Sequence, residues 1–157
     1  MTTGLMQMQK ENFSIMSPEN WRELWDSELS NPRTGKLALA LAAQTPKDGY
    51  INNLIILEVE NLLQESSKGL MENTKKWLET SLLVFKNLQE KSITFADDEL
   101  WTLIQYRGKY SKTTPELSYI QTARSCDTTA YILTLSLAWD FESYDRYEYL
   151  LSSFECQ

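Results

Sequence analysis

The chain contains no histidine in 157 residues. That absence removes Ser-His-Asp and Cys-His catalysis, imidazole-ligated zinc and the common proton shuttle at neutral pH. Cysteine is nearly missing as well: Cys126 and Cys156 are too few for a disulfide framework, and neither stands in a CxxC or other metal-ligand spacing. A reducing, cytoplasmic setting with no metal and no cofactor follows from that reading. The longest apolar run, Leu37 to Ala43, falls far short of the ~20 residues that a membrane-spanning helix requires, so no membrane association is expected. Basic charge is scarce. Fifteen Lys and Arg against 22 Asp and Glu leave a net charge of −7, the wrong sign for a dedicated nucleic-acid binder. No phosphate loop, dinucleotide fingerprint or nucleophile motif occurs, and a non-enzymatic role is expected.

A chain of this length fits one domain and can bury enough apolar surface to fold unaided. Methionines at 1, 6, 8 and 16 mark residues 1–15 as a flexible N-terminal leader, with residues 16–157 as a single helical domain. The fold class predicted is all-α: a compact bundle of about six to seven helices built on a central antiparallel hairpin over residues 45–91. Thr45-Pro46-Lys47-Asp48 has the form of a capped helix start. On a helical wheel Ile51, Ile55, Ile56, Val59, Leu62 and Leu63 then fall within an arc of roughly 140°. After a break at Ser66, Ser67 and Gly69, a second run places Leu70, Thr74, Trp77, Leu78, Leu82, Phe85 and Leu88 at three- and four-residue steps. All four prolines follow a capping residue, as in Ser17-Pro18 and Thr114-Pro115, so each is read as opening a helix.

The remaining segments are read in the same way. Trp21 and Trp25 anchor a short helix from Pro18 to Ser30, and Lys36 to Gln44 is helical because leucine and alanine are strong helix formers. Asp97, Asp98 and Glu99 complement the positive end of a helix that runs to a C-cap at Gly108. Pro115 to Ala123 forms another short helix. Residues 128–139 suit either period and are taken as helix, since an isolated strand would leave its backbone unpaired.

Two surfaces stand out. The C-terminal stretch sets Trp139, Tyr144 and Tyr149 among Asp140, Glu142, Asp145 and Glu148, a mixture suited to meeting a basic protein surface. Tyr106, Arg107, Lys109, Tyr110, Lys112 and Arg124 interleave rings with cations, as single-strand nucleic-acid surfaces do. The expected function is a protein-binding module of inhibitor, immunity-like or adaptor type, presenting the acidic aromatic surface to a basic partner. The alternative is a small helical subunit of a nucleoprotein complex that contacts RNA or DNA through residues 106–124. Neither reading specifies an oligomeric state.

Overall fold

Alternation at period two, not 3.6, organises most of this chain. The computed structural model describes residues 4–29, 36–47, 49–64, 66–109, 111–138 and 144–157. In chain order they form β1 (Leu5–Gln9), β2 (Phe13–Pro18), β3 (Trp21–Glu23), a 3₁₀ turn (Asp26–Glu28), β4 (Lys36–Ala43) and β5 (Asn53–Glu60). Then come α1 (Ser67–Ser81), β6 (Val84–Thr94), β7 (Leu100–Lys109), β8 (Leu117–Cys126), β9 (Thr129–Leu137), α2 (Tyr144–Ser152) and β10 (Glu155–Cys156). Seven strands make an antiparallel sheet in the order β3-β4-β5-β9-β8-β7-β6, and β1-β2-β10 make a smaller one. The all-α bundle is therefore overturned, and the hairpin at 45–91 with it: that span is a strand, a helix and a strand.

The physical reason lies in strands that are apolar on both faces. Leu54 and Ile56 point to one side of β5 while Ile55, Leu57 and Val59 point to the other, so the strand reads as an unbroken apolar run that a wheel also accommodates. In β4 the helix propensity of leucine and alanine yields to pairing with β5, in which Leu41 lies opposite Leu54 and Leu39 opposite Ile56. β9 is not isolated. It lies between β5 and β8, paired along its whole length with both, which removes the objection to a strand there. Gly108 caps no helix either: it sits inside β7, where an added Cβ would come within 2.9 Å of Leu82 Cδ1 and 3.3 Å of Tyr119 Cε2.

Prolines and acids fill turn and strand-end positions rather than helix starts. Pro18 closes β2, and Pro115 precedes β8. Pro32 lies outside the described residues. Asp98 and Asp127 take positive φ, 67° and 63°, in the β6–β7 and β8–β9 connections, a conformation that Asp tolerates better than most residues. The helical period does hold over α1, where the Gly69 N–H donates to Ser66 Oγ at 3.2 Å as an N-cap bond.

The large sheet carries a layer on each side. On one face, Leu39, Leu41, Leu54, Ile56, Leu103, Ile120, Leu133 and Leu135 are sealed by Phe13 and Ile15 of β2 and by Leu150, Leu151 and Phe154 from α2 and the turn after it. Phe13 stacks on Phe154 at 5.0 Å and tilts against Tyr131 at 5.0 Å. Trp21 belongs to this core, but Trp25 is 67% exposed and anchors nothing. On the other face α1 lays Met71, Leu78 and Leu82 over Ile104, Tyr106, Leu117, Tyr119 and Ala123 of β7 and β8. Cys126 at the end of β8 is bonded to Cys156 in β10, with Cα atoms 5.7 Å apart, so the two cysteines tie the small sheet to the large one.

Candidate protein-docking face

The structure disperses the residues singled out from sequence. Trp139, Asp140, Glu142 and Tyr110 lie outside the described residues, as do the side chains of Tyr144 and Asp145. Glu148 projects from α2 back onto the large sheet, where Gln105 Nε2 donates to its carboxylate and Lys91 pairs with it. Tyr149 is open to solvent. Tyr106 and Arg107, adjacent on β7, point to opposite faces. Tyr106 is buried beneath α1, stacked on Tyr119 at 5.0 Å and donating its hydroxyl to Gln121 Oε1 at 3.1 Å. Arg107 is buried on the other side and donates to Glu116 Oε2 at 3.1 Å. Lys109 ends β7, and Lys112 is exposed in the following turn.

Arg124 is buried too. Its guanidinium donates two bonds to Asp97, Nη1 to Oδ1 at 2.8 Å and Nη2 to Oδ2 at 2.6 Å, while lying over the rings of Phe95 and Trp101. These bonds hold the Asp97 carboxyl below the usual carboxylate range. Asp97 therefore closes the β6–β7 turn onto β8 instead of capping a helix. Glu116 is lowered likewise, by the bond from Lys86 first and by the charge of Arg107. These cations are spent on internal carboxylates, and they share no accessible groove with Tyr106.

One accessible apolar surface lies beside α1. The helix packs over β7 and β8, leaving β9, β5 and β4 without a described helix on that side. There Leu37, Ile55, Leu57, Val59 and Ile132 share one face and are only half-buried, while their neighbours on the opposite face are sealed. At one end β5 runs on into its connection to α1, where Leu62 is 71% and Leu63 87% exposed. These two leucines, expected on the inner face of a helix, face water instead. At the other end Tyr50 folds over the sheet, accepting a bond from Asn53 Nδ2 at 2.9 Å; burial pushes its phenol pKa up.

The helix flank overlooking the strip matches it in chemistry. At 100° per residue, Leu70, Thr74, Trp77 and Ser81 occupy an arc of about 60°, and this arc carries no charge. Trp77 is 45% exposed. Thr74 turns its hydroxyl to the Leu70 carbonyl at 3.0 Å, satisfying it within the helix. The charged residues of α1, Lys68, Glu72, Lys75, Lys76 and Glu79, occupy a separate arc of about 100° on the other side. That side faces β6, as the Lys75–Glu90 bridge at 3.1 Å shows. Exposed aromatic and aliphatic side chains grouped around an uncharged strip are what a protein contact site requires. Sequence reasoning missed the strip because it read Leu62, Leu63 and Trp77 as core, and the unbroken apolar run Leu54 to Leu57 carries no period-two signal to correct it.

No family model matches the chain, and no curated protein matches it. Among solved structures, it is similar to the solution structure of cyanobacterial PsbP (CyanoP) from Synechocystis sp. PCC 6803. The TM-score is 0.62 at 11% identity, covering 99% of this chain and 94% of that one. The fold is PsbP-like. At that identity the likeness carries the architecture alone: the PsbP-like sheet positions the strip, and the side chains that line it belong to this chain.

Proposed function

We propose that this chain is a non-enzymatic protein-binding module whose partner seats on the α1 side of the sheet, over β9, β5 and β4. The observation that carries this reading is the exposure of Trp77 on the uncharged side of α1, which packs over the sheet beside a half-buried aliphatic strip. Large exposed apolar side chains cost solubility, and a tryptophan at the edge of such a patch is the residue type that most often dominates binding energy. The acidic C-terminal surface supports the reading less well, because Glu148 is already compensated by Lys91 and Gln105. Binding here is led by apolar contact more than by charge.

The compartment follows the cysteines. A cytoplasmic setting was read from the scarcity of cysteine, whereas a Cys126–Cys156 bond favours an oxidising one. Free-thiol titration of the protein isolated from its native cells decides between them. The binding reading is tested by affinity capture from those cells with the full chain and its Trp77→Ala variant. A partner retained at moderate salt by the first and lost by the second, with folding unchanged, supports it. Equal retention by both overturns it.

A further inference from the structure

We propose that β1 pairs with β1 of a second copy of this chain, antiparallel about a two-fold axis at Gln7, so that the two small sheets join into one. Along β1 the Lys10 N–H donates to the Phe13 carbonyl at 2.8 Å and the Gly4 carbonyl accepts from the Glu19 N–H at 3.0 Å. Bonding alternates along an antiparallel ladder, so Met6 and Met8 bond to β2, and the N–H and C=O groups of Leu5, Gln7 and Gln9 point away from it. Among the described residues those groups meet no other backbone, and no strand lies on that side. The edge is also unguarded. β6 is irregular between Lys86 and Gln89 and carries Glu90 and Lys91, while the open stretch of β4 begins at Lys36 and is irregular between Leu37 and Leu39. β1 keeps an even register and holds no proline and no charge, the devices by which sheet edges repel a further strand.

Charge selects a second copy and fixes its register. About Gln7, Leu5 stands opposite Gln9 of the second copy and Gln7 opposite its own counterpart, and these pairs use every outward group. Met6 then stands opposite Met8, and Gly4 opposite Lys10. Gly4 has no side chain, and Glu19 fills its place: a Cβ added there would run into the Glu19 carboxylate. Opposite residues of a ladder carry their side chains on one face about 4.5–5.5 Å apart, so Lys10 of the second copy meets Glu19, and the two-fold axis repeats the pair. Glu19 has no ion pair among the described residues. Lys10 holds Glu23 at 2.8 Å, and an ammonium has further donors to give. The contact is about 17 Å by 10 Å, well below the about 800 Å² per partner of a lasting complex, so the dimer exchanges with monomer.

Sedimentation equilibrium of the full chain, disulfide intact, from about 10 μM to about 1 mM tests this, with near-ultraviolet circular dichroism confirming that each variant is folded. The parent should show a reversible monomer–dimer equilibrium. Gln7→Pro removes an outward N–H that β2 does not use, so the fold should stand and the dimer be lost. Glu19→Lys sets like charges opposite each other and should raise the dissociation constant at least about tenfold, even though it lowers the net negative charge. Glu79→Lys makes the same change of charge on α1 and should not weaken the dimer. A monomer across the whole range overturns the proposal. So does a dimer that Gln7→Pro or Glu19→Lys leaves as tight as the parent's, or one that Glu79→Lys weakens equally.

Discussion

The two faces of the seven-stranded sheet are made of the same residue types and are covered to different extents. Leu54, Ile56, Leu133 and Leu135 on one face are fully sealed by β2, α2 and Phe154. Ile55, Leu57, Val59 and Ile132, the next residues along the same two strands, are left half-buried beside α1. A leucine on the first face stabilises the fold because every atom of it is out of water, whereas one on the second retains solvent contact and is available to another molecule. Position relative to the covering layer, more than residue type, decides which role each side chain takes.

Substitutions that reach one face and spare the other sharpen this comparison. The largest effect belongs to the sealed face: Leu133→Ala should cost about 3–4 kcal/mol, read from the urea midpoint at constant m. Reduction of Cys126–Cys156, which closes a 30-residue separation and fastens the small sheet, should cost about 3–4 kcal/mol on the loop-entropy account. Thermal unfolding with and without dithiothreitol measures it. Asp97→Ala leaves the buried Arg124 without its carboxylate and should cost about 2–3 kcal/mol, reduced from the fully buried case because Asp97 is one-third exposed. Since the folded pKa of Asp97 is lowered, its contribution is complete above the unfolded value of about 3.9 and is lost as pH falls through the folded one. The stability gap between parent and variant should therefore narrow in acid, and a gap that widens there would exclude the pairing as its cause. The smallest effect belongs to the open face, where Leu57→Ala should cost about 1 kcal/mol or less.

How much of this was legible in the sequence differs from segment to segment. α1 was legible in part: the helical steps from Leu70 to Leu82 match the helix Ser67–Ser81, but Ser66, read as a break, is its N-cap, and Phe85 and Leu88, read as its continuation, lie in β6. The strands could not be read with the same method. A strand buried on one face and half-buried on the other loses the polar half of its alternation, and Leu54-Ile55-Ile56-Leu57 then satisfies a helical wheel as readily as a pleat. Leu37 to Ala43 was a conflict between local propensity and tertiary pairing, which pairing won. Histidine absence and net charge narrowed the chemistry without locating a site. The half-buried strip and the exposure of Trp77 were invisible because they depend on which strands α1 covers, and that is set by the order of the sheet.

The most direct test separates stability from binding in one triple variant, Trp77→Ala with Leu62→Ser and Leu63→Ser. Its urea midpoint and its affinity for the captured partner are measured on the same preparation. The expected result is a stability within about 1 kcal/mol of the parent and a dissociation constant raised at least about 30-fold. A variant that unfolds several kcal/mol sooner while still binding its partner normally would contradict the division of labour between the two faces.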